Sequence, residues 1–183
     1  MLREHIEAGD ELGNEVRAML RAGSLVPDEM VNHLVEKRID RPDAKNGFIL
    51  DGYPRTLNQA KVMSKSLAGR CIPAVVIHLQ VDYNKIIARL TGRRACPVCG
   101  TLYSLSSNPP QVEGVCDKDG ARLITREDDS EPVIRQRLED YAIQTKPLLE
   151  YFGRSGVPCF PVDGSDSTPA AIAARICGFI SEQ

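Results

Sequence analysis

No apolar run in these 183 residues approaches the length of a membrane span. The segment from Met1 to Gly9 is charged and amphipathic, so it lacks the character of a secretory signal. The formal net charge of −2 gives no basic excess that would point to nucleic acid or an anionic lipid surface. No arrangement of Ser, His and Asp, or of Cys and His, points to a hydrolase. His5, His33 and His78 are scattered, and His78 falls within an apolar run. A disulfide framework is not expected either: of six cysteines, Cys71, Cys159 and Cys177 stand apart among apolar residues. No G-x-x-x-x-G-K-[ST] phosphate loop occurs. The expectations are a cytoplasmic location, a monomer, no nucleic acid and no membrane.

What is present suits one globular domain, or one domain with an insert. Apolar residues make up 42% and charged residues 26%. Helical patterns are expected over Met1 to Ala8, Glu11 to Arg21, and a third segment with Pro27 in its first turn and Asp28 and Glu29 near its positive end. Phe48 to Leu50 is expected as a strand, followed by a helix from Thr56 to about Ala68. Ala74 to Leu79 is a second strand, with a helix beginning at Asp82. A long helix from Glu131 to about Phe152, a third strand from Pro158 to Val162 and a last helix capped by Ser167 or Thr168 complete the pattern. Strands alternating with helices imply an α/β fold with a parallel sheet. Between Arg93 and Glu127 the composition turns rich in Cys, Gly and Pro, marking a small inserted module.

One stretch carries chemistry more than any other: Gly47-Phe48-Ile49-Leu50-Asp51-Gly52-Tyr53-Pro54-Arg55-Thr56. It reads as a core strand that delivers a carboxylate and a guanidinium to the edge where open α/β sheets bind ligands. Asp51 suits the water shell of Mg²⁺. Gly52 allows close approach of a ligand to the backbone, and Arg55 presents a planar fork for phosphate.

The inserted module contains Cys96-Pro97-Val98-Cys99 and, after sixteen intervening residues, Cys116-Asp117-Lys118-Asp119. Two turns of this kind bring three thiolates and a carboxylate to a tetrahedron, so Cys96, Cys99, Cys116 and Asp119 are expected to hold one structural Zn²⁺. Asp117 is the alternative fourth ligand but breaks the two-residue spacing; plain reduced thiols are the bland alternative. A nucleic-acid-binding zinc ribbon is a rival from another class. It needs a basic stripe with aromatics, and here acids are interleaved with the bases.

Several arginines stand in short polar settings: Arg93 after a Gly at the module boundary, Arg126 beside Asp128 and Asp129, and Arg137 on the helix beyond. Transfer of a phosphoryl group needs positive charge around the moving group and little covalent chemistry. Ordinary surface pairing is the alternative role for any one of them.

Taken together, these segments resemble the adenylate kinases. The resemblance runs through Met1-Leu2-Arg3, Gly23 to Glu29, Asp51 to Gln59, Gly92-Arg93-Arg94, Thr125 to Asp129, Arg135-Gln136-Arg137 and Val162-Asp163-Gly164. It implies a P-loop kinase-type fold with a zinc-bearing lid, interconverting ATP plus AMP with two ADP, with Mg²⁺ accompanying ATP. It implies that Arg3 and Arg55 hold the AMP phosphate, that Gln59 reads the adenine edge, and that Ser24, Leu25, Val26 and Gly52 line the AMP site. Arg93, Arg126 and Arg137 would surround the transferring phosphates, the last two also reaching AMP. Arg89 would pack on the adenine of ATP, helped by Leu102 and Tyr103, with Gly164 to Asp166 flanking that base. Asp128 and Asp129 would serve as hinge and lid-closing contacts.

The expected division is a core over 1–92 with an AMP segment in about 1–26, a zinc lid over 93–127, and the rest of the core over 128–183. The first strand and phosphate loop of the family have no counterpart here, so an internal Met at position 1 or a partial sequence is expected, and severe loss of activity with it. Two alternatives are an AMP-binding paralogue without turnover and a kinase for another nucleoside monophosphate.

Overall fold

The computed structural model describes residues 2, 6, 8–22 and 25–181. Local chemistry sets most of the element boundaries. Helix α1 (Glu11–Ala22) begins after Asp10, whose carboxylate accepts from the Gly13 N–H at 2.7 Å. Helix α2 (Asp28–Ile39) carries acids in its first turn and Lys37 and Arg38 in its last, both favourable to the helix dipole. Pro27 sits just before it, as the N-cap. Thr56 caps α3 (Leu57–Gly69) by accepting from the Gln59 N–H at 3.2 Å. Asp82 caps α4 (Tyr83–Thr91) by accepting from Asn84 and Lys85. The last helix, α7 (Pro169–Ser181), starts where Thr168 Oγ1 accepts from the Ala171 N–H. The segment Met1 to Ala8 lies largely outside the described residues.

Strands β1 (Val76–Gln80) and β4 (Cys159–Asp163) pair in parallel, Val76 opposite Cys159 and Gln80 opposite Asp163. A right-handed crossover through helices is the connection such a pair demands. A second, antiparallel sheet joins β2 (Arg93–Ala95) to β3 (Leu102–Ser104), extended by bridges Ala95–Ile124 and Val115–Arg122. Thus the Cys-rich stretch folds on its own short ladder.

Helix α3 organises the interior. Met63 on one side packs with Val35, Ile39 and Tyr53. Ala60 packs with Leu148 and Phe152, against which Val76 and Cys159 of the parallel sheet also lie. The Tyr53 hydroxyl, buried with its ring, donates to Asn32 Oδ1 at 2.6 Å and so ties the 53–56 segment to α2. Among the described residues no helix is long and apolar enough to cross a membrane.

Two expectations are corrected. Phe48 to Leu50 is not a strand: it pairs with no strand among the described residues, and the parallel sheet has two strands, not three. Its apolar character comes from alternate residues that reach the core, not from pairing. Phe48 and Leu50 pack on the Val35–Tyr53 cluster, while Ile49 between them is 94% exposed. A strand needs a neighbour to take its N–H and C=O groups, and none among the described residues pairs with this one. The helix expected from Glu131 to Phe152 is interrupted. It comprises α5 (Glu131–Asp140), a π-helical turn over Tyr141–Thr145 and α6 (Leu148–Arg154). Lys146 N–H donates to the Tyr141 carbonyl at 2.8 Å, a wide i→i+5 bond. Pro147, which has no N–H, follows at once.

Candidate active site

The turn after Leu50 places the first group. Gly52 adopts a φ of 72°, a left-handed conformation that favours glycine. Asp51 is exposed, and Asp51 and Gly52 border a cavity of about 690 Å³ with Phe48 and Leu50. Arg55 follows, half-buried. Its guanidinium makes no ion pair among the described residues. Its pKa is lowered, first by burial and then by the neighbouring charge of Arg137. Burial and the charge of Arg137 outweigh the opposing charges of Asp140 and Asp51 at Arg55, which makes this a place where an added anion is stabilised. Thr145 Oγ1, from the π turn, donates to the Arg55 carbonyl at 2.9 Å and fixes the backbone there.

Gln59, 3% exposed, lies one turn into α3. Its Oε1 accepts from the Arg55 N–H at 2.7 Å, and its Nε2 donates to Asp28 Oδ1 at 2.8 Å. The other oxygen of Asp28 accepts from Thr56 Oγ1 at 2.8 Å and from Asn58 Nδ2 at 3.1 Å. A cavity of about 500 Å³ opens against this network, bordered by Leu25, Val26, Asp28 and Thr56 on one side and Gln136 and Asp140 on the other.

The second group of arginines is held by acids. Arg93 forks onto Asp129, Nε to Oδ2 at 2.8 Å and one terminal nitrogen to Oδ1 at 2.5 Å. Asp129 is 2% exposed, and its hydrogen bond raises the Arg93 pKa. Arg126 forks onto Asp128, both contacts at 3.2 Å. Arg137 donates to the Asp128 carbonyl at 3.4 Å and lies 4.0 Å from Asp129. The two aspartates thus gather the three arginines at the junction between the Cys-rich module and α5. Arg137 links this group to Arg55.

Beyond β4, Arg89 donates to the carbonyls of Gly164 at 3.1 Å and Ser165 at 2.7 Å, and Lys85 pairs with Asp166. Gly164 packs closely: a Cβ there would meet the end of the Leu79 side chain at 2.9 Å and push it aside. Leu102 is half-exposed, whereas Tyr103 is turned inward, with 5% exposure and its hydroxyl 3.5 Å from Cys116 Sγ.

In the module, ligand atoms of Cys96, Cys99, Cys116 and Asp119 all lie within 4.8 Å of one another. Cys96 Sγ is 3.2 Å from Asp119 Oδ2, and the Cys99 and Cys116 sulfurs are 3.6 Å apart. Thiolates at tetrahedral corners around Zn²⁺ would stand roughly 3.8 Å apart, so the donor set fits a closed four-ligand site. N–H groups of Val98 and Cys99 point at Cys96 Sγ at 3.4 Å, the arrangement that stabilises a thiolate. Asp117 is otherwise engaged, accepting from the Gln111 N–H at 2.9 Å.

Of the residues singled out from sequence, Arg3 and Ser24 lie outside the described residues. Arg55, Gln59, Leu25 and Val26 fall in one neighbourhood, and Arg93, Arg126 and Arg137 in the adjoining one. Asp28, Asn32 and Thr145 were not expected to contribute there. Asp28 was legible only as a favourable charge in a first helical turn; its tie to Gln59 needs two helices packed together. No local signal marks Asn32 or Thr145.

Comparison with known proteins completes the picture. The family model described as adenylate kinase matches residues 1–157. An adenylate kinase of Desulforudis audaxviator is 44% identical over 158 residues, covering 86% of this chain and 74% of the relative. One from Caldanaerobacter subterraneus subsp. tengcongensis is 43% identical over 169 residues, covering 91% and 76%. One from Thermosipho melanesiensis is 42% identical over 174 residues, covering 94% and 80%. Likeness at this level, spread over most of both partners, carries fold and reaction class together: the chain belongs to the adenylate kinase family of phosphotransferases.

Proposed function

We propose that the site handles AMP as phosphoryl acceptor and ATP as donor, in the reaction ATP plus AMP to two ADP. The observation that carries this is Arg55: a half-buried guanidinium in the field of Arg137, with no ion pair of its own among the described residues, beside a cavity of about 500 Å³. Arg55 takes the AMP phosphate, with Arg3 assigned beside it by resemblance. Gln59 reads the base, and the Ser24 to Val26 backbone and Gly52 line the pocket. Arg93, Arg126 and Arg137 approach the transferring group once its oxygens compete with Asp128 and Asp129 for them. No general base is needed, since the acceptor oxygen is already anionic. Bound Mg²⁺ would neutralise charge on the ATP phosphates, and Asp51 is the carboxylate available to order its waters.

Arg89, Leu102 and the backbone to Asp166 form the donor-base side in this proposal, and the Cys₃Asp cluster holds structural Zn²⁺ with Tyr103 packed inward against it rather than open to a base. A closed four-ligand site leaves no position to activate water, so its part is to staple the 93–127 lid. These 183 residues contain no phosphate loop to cradle the ATP phosphates. Oxyanion-type donors contribute about 3 kcal/mol each to the transition state. On their own, therefore, these residues bind AMP but turn over poorly. A monomer in the cytoplasm, free of nucleic acid and membrane, is the accompanying proposal.

Titration with AMP by calorimetry tests the acceptor site. R55A should weaken AMP about 10- to 100-fold, the value of a charge-assisted contact. Undiminished AMP binding by R55A would contradict the assignment. A panel of AMP, UMP, CMP and GMP decides between an adenylate kinase and a kinase for another base.

A further inference from the structure

The amide of Gln59 has only one orientation compatible with its surroundings. Its oxygen faces the N–H of Arg55 at 2.7 Å, and its nitrogen faces the Asp28 carboxylate at 2.8 Å. Exchanging the two would set an NH₂ against an N–H and a carbonyl against a carboxylate, two repulsive contacts in a residue that is 3% exposed. Asp28 is itself oriented. Its second oxygen is held by the Thr56 hydroxyl at 2.8 Å and Asn58 Nδ2 at 3.1 Å, and Thr56 also caps α3. A chain of contacts from the start of α2 to the start of α3 therefore fixes which end of Gln59 is donor and which is acceptor.

An amide carries two acceptor lone pairs and two N–H donors. The protein uses one of each, so one acceptor and one donor remain, in fixed order. That order matches an edge with an exocyclic amine beside an unprotonated ring nitrogen, as in adenine. Hypoxanthine presents the reverse, a ring N–H beside a carbonyl, and would require the amide to turn over. We infer that Asp28 is a positioning residue that sets base specificity by locking the amide of Gln59 against rotation. This rests on Gln59 reading the base, as proposed above, and deepens it: discrimination between 6-amino and 6-oxo purine monophosphates is placed one residue behind the contact.

The test uses the full chain and calorimetric binding of AMP and IMP to wild type, D28N and D28A. D28N keeps the shape. Its oxygen stays with the donors of Thr56 and Asn58, so an NH₂ then faces Gln59; either orientation of the Gln59 amide now leaves one repulsive contact, with that NH₂ on one side or with the Arg55 N–H on the other, and the preference for one order is lost. The AMP-to-IMP affinity ratio should fall about tenfold or more in D28N, the scale of one hydrogen bond to a charged group, and less in D28A, where the Arg55 N–H still holds the amide oxygen. Thermal melting checks that each variant is folded, and if D28A does not fold, D28N alone decides. An unchanged ratio in folded D28N overturns the inference while leaving the acceptor-site proposal intact. Failure of wild type to bind AMP overturns both. A general loss of packing would weaken AMP and IMP alike, so the ratio separates positioning from a structural role.

Discussion

Tyr53 couples stability to function through one hydroxyl. Its O–H donates to buried Asn32 at 2.6 Å, and burial, with Glu36 and Asp28 nearby, pushes its pKa up from 10.0 to about 12. The fold therefore favours the neutral phenol. That contribution is complete below about pH 10, where the unfolded tyrosine is also neutral, and is lost as pH rises towards 12. Y53F should cost about 1–3 kcal/mol, because it leaves Asn32 Oδ1 buried without its donor. The melting temperature of Y53F should also depend less on pH between 10 and 12 than that of wild type; equal slopes would contradict this. Tyr53 stands two residues before Arg55, so the same loss would loosen the acceptor phosphate site. Asp129 shows the opposite economy of charge. Fully withdrawn from water, it is tolerated because Arg93 meets it with two hydrogen bonds. For phosphate to recruit Arg93 it must displace that carboxylate.

Among the elements, the Cys-rich module depends most on something other than its own core. Its buried cluster is Cys96, Tyr103, Cys116 and Leu123, two of which are thiols of the metal set. So small a core needs a clamp. Purified protein should hold close to one equivalent of zinc by elemental analysis. C96S or C116S should lose it, with faster hydrogen exchange over 93–124 and little change in α3. Less than half an equivalent in wild type would sink the zinc assignment. This element was also the most legible in sequence, because the ligand spacing is local and Asp119, not Asp117, completes it. The helix caps at Thr56, Asp82 and Thr168 were legible for the same reason. The π turn over 141–145 was not: its apolar pattern continues that of a helix, and only Pro147 hints at the break. The segment Phe48 to Leu50 misled because an apolar run does not by itself specify pairing, which depends on a neighbour elsewhere in the chain; only Phe48 and Leu50 of the three pack on the core. Gln59's tie to Asp28 spans 31 residues and emerges only when α2 meets α3.

At the scale of the whole molecule, two arginine groups and one acid pair lie where the core meets the module. The proposed acceptor half, from Val26 through Asp28 to Arg55 and Gln59, is built on helices α2 and α3 around a shared core. The lid half hangs on Arg93, Arg126 and the Asp128–Asp129 pair. Arg137 on α5 faces both. The donor side holds Arg89 against the loop after β4, yet these residues hold no Gly-rich cradle with a Lys. The proposed function divides the work: these residues supply the acceptor site and the lid, and the ATP phosphates need a Gly-rich cradle that the same residues do not contain. Its most direct test is AMP-dependent ADP formation from MgATP by this chain, beside the same chain with a strand-and-phosphate-loop segment restored at its start. The account predicts robust turnover only in the restored chain, with the short chain slower by about a hundredfold or more, the loss of at least one oxyanion-type donor. Comparable rates from both chains would contradict it, and would mean that donor phosphates are held by groups other than those assigned to them.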